Sequence, residues 1–169
     1  MAAVNDDLKV YYELQWKEKL NSDVAVRGAE FGGNKLRTYK KFKSSFSTEV
    51  YVSIPHQKKY RSAYAKFRCG VAPIKIETCR YGLNRLPVAQ RLCESCNVIE
   101  DEFHVIMNCS MYVDIRSILI RSICTLTVDF LNKPQEEQFI ELLSNPLYYK
   151  VVSKAMYNIL NVRRYVVFS

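Results

Sequence analysis

The chain has 169 residues, 49% apolar and 25% charged, the size and composition of one globular domain with at most an appendage, which excludes a disordered chain. Its charge is unusual: the formal +8 is concentrated in residues 35–92, which carry a net +12, while 1–34 and 93–169 are each at −2. Such a field favours polyanions, meaning nucleic acid or an acidic membrane surface, but no stretch reaches the roughly 18 apolar residues of a membrane span.

The first twenty residues contain acids and lack the apolar run of a secretory signal, so an intracellular protein, nuclear or cytoplasmic, is expected. Residues 6–20 predict a helix capped by Asn5 or Asp6, with Leu8, Tyr12, Trp16 and Leu20 on one stripe. Residues 21–34, with Gly28, Gly32 and Gly33, predict a loop. A second helix is expected from about 35 to 46, with Leu36, Tyr39, Phe42 and Phe46 on one side and Arg37, Lys40, Lys41 and Lys43 on the other. The β-branched and aromatic run 50–54 stops at Pro55 and predicts a short strand. Residues 57–69 form the clearest amphipathic pattern, with Tyr60, Ala63, Tyr64 and Phe67 inward and Lys58, Lys59, Arg61 and Lys66 outward. A second short strand is expected over 71–80 around Ile74 and Ile76, and a turn over 82–90 with Gly82, Asn84 and Pro87. Further on, 103–109 begins a helical turn and Ser110 caps a helix through 123 that carries Val113, Ile115, Leu119, Ile120 and Ile123. Pro134 and Pro146 each open a C-terminal helix, the first bearing Phe139, Ile140, Leu142 and Leu143, the second Val151, Ala155, Ile159 and Val162. The expected fold is mainly α with short β-strands. It comprises an N-terminal helix and loop (1–34), basic helices with a small CCHC knuckle in which Cys93, Cys96, His104 and Cys109 are spaced as zinc ligands (35–125), and a C-terminal helical pair (126–169).

Six cysteines in a reducing compartment suggest metal or buried thiols rather than disulfides. Four residues stand out: Cys93, Cys96, His104 and Cys109, written C-x2-C-x7-H-x4-C. A tight turn presents the first two thiolates to one ion, and the segment that follows returns an imidazole and a third thiolate, the four-ligand set of one structural Zn2+. All four positions are then filled, so no open position remains for a catalytic water. The competing readings are free cysteines with a core histidine, a Cys-x-x-Cys redox motif, and iron–sulfur ligation, which usually takes four thiolates. His56 reads as a capping or exposed residue. Cys69 and Cys79, which flank the second expected strand, read as buried reduced thiols, with approach to each other or to the metal as the alternative, and Cys124 reads as core.

Read together, the segments NKLRTYKKFK (34–43), YRSAYAKFRCGVAPIKIETCRY (60–81), RLCESC (91–96), IEDEFHVIMNC (99–109) and MYVDIRS (111–117) carry a resemblance. They resemble the zinc-binding region at the C-terminal end of LINE-type (non-LTR) retrotransposon reverse transcriptases, over roughly residues 10–120. The resemblance implies Cys93, Cys96, His104 and Cys109 as zinc ligands, with Glu100, Asp101 and Glu102 as an acidic run that orients His104 or caps the next turn. Cys79 departs from the pattern, which has glycine in that turn. The adjacent aspartates a polymerase needs are missing: Asp6-Asp7 stands in a weak context, and Ile115 follows Asp114 in Tyr112-Val113-Asp114-Ile115. No nuclease-like arrangement of acids is visible either. No enzyme is expected.

Residues 35–68 hold ten cations, Lys35, Arg37, Lys40, Lys41, Lys43, Lys58, Lys59, Arg61, Lys66 and Arg68, against the single acid Glu49. This face is expected to contact the phosphates of RNA or DNA without reading sequence, while most interleaved aromatics belong to the core. The leading expectation is therefore a zinc-binding, nucleic-acid-binding module with no membrane association. Two others stand beside it. One is a protein-interaction module using 134–169, with Tyr148, Tyr149, Tyr157 and Tyr165 as anchors; the other is a transposon remnant without a present role.

Overall fold

The computed structural model describes residues 2–21, 35–83 and 85–167. The loop expected over 21–34 falls outside them from residue 22 onward, as do Asn84 and the side chains of Asn5, Lys35 and Tyr165. The described chain is mainly α: α1 (Ala2–Asn21), α2 (Lys58–Arg68), α3 (Lys75–Thr78), α4 (Val113–Cys124), α5 (Gln135–Ser144) and α6 (Tyr149–Val167).

Helix α6 is the organising element and packs against α2, α4 and α5. The reason is visible in its contact with α2. In α2 the inward positions Ala63, Tyr64 and Phe67 are all buried, and α6 meets them with Tyr149, Val152 and Met156, also buried. Spacings of three and four residues put each set on one face. Pro134 stands at the N-cap of α5 rather than within its first turn, and Pro146 opens a 3-10 turn that runs directly into α6, with the Asn145 side chain accepting from Leu147 N–H at 3.0 Å. One buried cluster runs from Ala63 to Leu160 and includes Ile74, Val105, Ile106, Ile123 and Leu142.

Several expectations are corrected. No β-strand occurs among the described residues; one isolated antiparallel bridge joins Leu92 and Ile99. The run at 50–54 is a 3-10 turn (Val50–Ser53) with Val50 and Val52 exposed, because no neighbouring segment offers the backbone partners a strand requires. Residues 71–80 instead hold the short α3. There Ile74 and Ile76 are both buried, and the Ile76 N–H donates to the Glu100 carbonyl at 3.1 Å.

The helix expected over 35–46 is two separate 3-10 turns, Lys35–Arg37, with Leu36 off helical geometry inside it (φ −82°, ψ 20°), and Tyr39–Lys41. Side chains from this stretch take distant partners, Arg37 and Thr38 on Glu102 and Tyr39 on Glu49, and these bonds override helical propensity. Helix α1 begins at Ala2, so Asp6 lies inside it rather than at its cap. Of its predicted stripe only Leu20 is buried; Trp16 leans on Phe46 (ring centroids 5.8 Å), while Leu8 and Tyr12 are exposed.

Candidate metal centre

Two local structures build the centre. The first is a knuckle at 92–99. Around Cys93-Glu94-Ser95-Cys96 the chain reverses: Asn97 N–H donates to the Cys93 carbonyl at 2.9 Å and Cys93 N–H to the Val98 carbonyl at 2.7 Å. Asn97 takes the left-handed conformation (φ 55°) that completes the reversal, a conformation asparagine tolerates better than most residues. The second is a π-helical turn at His104–Asn108. In an α-helix two residues five apart point about 140° away from each other, so H-x4-C would splay its ligands. The wider turn closes with Cys109 N–H donating to the His104 carbonyl at 2.8 Å, and one turn then spans the five residues. Asp101 starts it by accepting the His104 N–H on Oδ1 at 2.8 Å, in the manner of an N-cap.

The ligand atoms of Cys93, Cys96, His104 and Cys109 consequently lie within 4.8 Å of one another, a group able to hold one metal ion. The Cys93–Cys109 and Cys96–Cys109 Sγ separations are 3.7 and 4.0 Å, and all six cysteines of the chain are free thiols. Tetrahedral zinc with bonds of about 2.3 Å to sulfur sets its sulfurs about 3.8 Å apart, so the spacing fits. Two further observations support the fit. His104 is buried and its Nε2 has no hydrogen-bond partner among the described residues. Ser110 N–H donates to Cys96 Sγ at 3.4 Å and its hydroxyl lies 3.2 Å from the same sulfur, the outer bonding a thiolate ligand needs.

Protonation follows environment. The Ser110 hydroxyl and N–H hold the Cys96 thiol below the usual range, whereas burial pushes the Cys109 thiol up to about 12, with Cys93 and Cys96 adding to the rise. Burial lowers His104, which leaves a neutral imidazole at pH 7. The histidine needs to lose no proton to bind a cation, whereas the Cys109 thiol has to give up its own.

The acidic run beside the centre anchors it to three other parts of the chain. Glu102 is buried and accepts from Arg37 with both carboxylate oxygens and from the Thr38 hydroxyl at 3.0 Å. Glu100, also buried, accepts from Lys75 N–H at 2.7 Å and from two Arg163 nitrogens. Asp101 caps the turn as described. Buried Arg91, at the entry to the knuckle, donates to the Leu86 and Ile76 carbonyls.

Of the ten cations of 35–68, the nine with described side chains separate into two groups. Arg37 is bound to Glu102, Lys41 to Glu136 at 3.2 Å, and Lys43 and Arg68 to Glu49. Arg68 is only 3% exposed and lies over the Phe42 ring, far from any incoming ligand. Lys40 and Lys66 are half-buried, and Lys58, Lys59 and Arg61 are exposed on α2. Two lysines outside the predicted set, Lys150 and Lys154, are also exposed; they flank Ser153, whose hydroxyl lies 2.8 Å from His56 Nε2. Their signal in the sequence is the absence of any acid after Glu141. Among the predicted tyrosine anchors, Tyr148 and Tyr149 are wholly buried and Tyr157 is half-buried edge-on to Tyr60. Among the described residues no helix is long and apolar enough to cross a membrane.

No protein-family model, no curated protein and no solved structure matches the chain.

Proposed function

We propose that this protein is a zinc-stabilised nucleic-acid-binding module without catalysis of its own, related to the C-terminal region of LINE-type reverse transcriptases. The Cys3His group carries the reading: three thiols and a neutral imidazole whose Nε2 has no hydrogen-bond partner converge at tetrahedral spacing in a chain with a net charge of +8. Four protein ligands leave zinc no position for a reacting water, so the ion is structural. Thiolate ligation suits a reducing, intracellular setting. The quoted motifs also meet in space, which supports their belonging to one unit. The Leu-Arg-Thr stretch contributes Arg37 and Thr38 to Glu102 of the acidic run, and the segment around Ile76 joins both Glu100 and Arg91. The exposed cations of α2 supply phosphate contacts, which carry affinity without sequence preference.

Elemental analysis of the purified protein is expected to find one zinc per chain, and Cys96→Ser with His104→Ala to lose it. A folded wild type that holds no metal would refute the zinc centre. Titration with unrelated RNA and DNA is expected to show binding at about 50 mM salt that weakens steeply as salt rises; no binding to either there would refute the nucleic-acid function.

A further inference from the structure

We propose that the seam between α2 and α6 is the phosphate-contacting face, and that half of its cations come from the C-terminal helix. This rests on the nucleic-acid reading above and assigns it a surface. Two long segments of the chain, residues 50–76 and 142–169, contain no aspartate or glutamate at all. They are remote in sequence, yet α2 from the first packs along α6 from the second. The fold therefore sets two acid-free stretches side by side.

At the seam, Lys59 Nζ stands 5.3 Å from the centre of the Tyr157 ring on α6 and 4.9 Å from that of its neighbour Tyr60. Lys150, Lys154 and Tyr157 follow one another at spacings of four and three, so they share a face of α6. His56 joins the two helices: its ring stacks on Tyr60 (5.0 Å, 25°) and its Nε2 meets Ser153, between the two lysines. Lys66 lies two turns beyond Lys59 on the same side of α2.

The contrast with the other cations gives the patch its meaning. Arg37, Lys41, Lys43, Arg68, Lys75, Lys133 and Arg163 each have a carboxylate partner inside the molecule. Lys59, Lys150 and Lys154 are exposed, and neither their own helix nor the facing one offers an acid. Collecting like charges this way costs self-repulsion, and a chain of phosphates relieves it while releasing counterions. Lysine ammonium groups act as point charges on phosphates and read no base edges, so recognition is independent of sequence.

The test uses the full-length zinc-loaded protein, with fluorescence anisotropy of an unrelated single-stranded RNA and an unrelated DNA duplex from about 50 to 300 mM salt. Lys150→Gln with Lys154→Gln is expected to lower the salt slope by about 1.4 on the single strand and about 1.8 on the duplex, two phosphate contacts' worth. Affinity at about 0.1 M salt is expected to fall on the order of tenfold or more. Lys59→Gln with Lys66→Gln should do the same. Lys9→Gln with Arg121→Gln, an equal charge change on exposed residues of α1 and α4, should leave the slope within experimental error. Zinc content and thermal melting confirm that each variant is folded. If the wild type binds both nucleic acids and the seam variants bind as the wild type does, the seam assignment falls and the nucleic-acid function stands. If the wild type binds neither, both fall. Seam-dependent binding to phosphatidylserine vesicles without nucleic-acid binding would overturn the proposal in favour of a lipid headgroup.

Discussion

Glu49 is the only acid between residues 35 and 68, and three donors converge on it: Lys43 Nζ at 2.7 Å, the Tyr39 hydroxyl at 2.9 Å and the buried Arg68 guanidinium. Arg68 is further enclosed by the rings of Phe42, Tyr51 and Tyr64 at 4.1, 5.2 and 5.4 Å. Burial alone would raise the Glu49 carboxyl, but Lys43, Arg68 and Tyr39 together outweigh it and hold the group below the usual carboxylate range. A carboxyl lowered in the folded state contributes stability above its ordinary value of about 4.3, and that contribution disappears as pH falls through the lowered value. Glu49→Gln leaves a buried guanidinium without its counter-charge, and urea denaturation at pH 7 should record a loss of about 3 kcal/mol. The gap between variant and wild type should then narrow as pH falls below about 4.3 and close once pH has passed the lowered native value. Acid also strips metal from thiolates, so the difference between the two proteins is the quantity to follow. A gap that stays constant down to about pH 3 would assign the effect to packing instead of charge.

At the scale of elements, the acidic run after the knuckle acts as a clamp. Glu100 holds the start of α3 through the Lys75 N–H and the far part of α6 through Arg163, whose guanidinium makes two bonds to it. Arg163→Met would leave Glu100, 2% exposed, with a charge and no counter-charge. The expected cost is about 3–4 kcal/mol. Hydrogen exchange should accelerate in peptides covering 74–77 and 98–101, whose amides bond around the same carboxylate and carbonyl; unchanged exchange there would show that Arg163 does not hold the joint. This clamp also marks the limit of what the sequence discloses. Helices α2, α4, α5 and α6 are legible because their apolar spacing is local. The ligand quartet is legible because its donors are chemically distinctive and lie within seventeen residues. The π-turn is implied in retrospect by H-x4-C, a spacing no α-helix can aim at one ion. Arg37–Glu102 and Arg163–Glu100, with partners 65 and 63 positions apart, are not legible, since nothing local says which of many acids a cation will meet. For the same reason, at least four of the nine predicted phosphate-binding cations with described side chains turn out to be paired with carboxylates within the chain. The two expected strands that do not form have a related cause: a β-branched run signals an extended segment only where a partner segment exists.

For the whole molecule, the question is whether the metal centre is an appendage or part of the core. The ligand segment supplies Val105, Ile106 and Met107 to the buried cluster, alongside Phe67 from α2, Leu142 from α5 and Val152 and Met156 from α6. Cys93 and Cys109 belong to that cluster themselves, so two of the ligands are also packing residues. Loss of the ion would remove the constraint on the π-turn, and with it the placement of three core side chains in a row. Zinc removal should therefore lower the stability of the entire fold. A ligand that binds only the native state contributes about 4 kcal/mol when present at a thousand times its dissociation constant. Each kcal/mol corresponds to about 2–4 °C in a chain of this length. Circular dichroism at 222 nm, with and without chelator, should then show one cooperative transition whose midpoint drops by about 10 °C or more. Near-ultraviolet signals from Tyr64 and Tyr149, both far along the chain from the ligands yet wholly buried in the α2–α6 contact, should shift with it. A separate low-temperature transition, with the tyrosine signal unmoved, would show instead that residues 92–109 melt as an independent unit and that the helices stand without them.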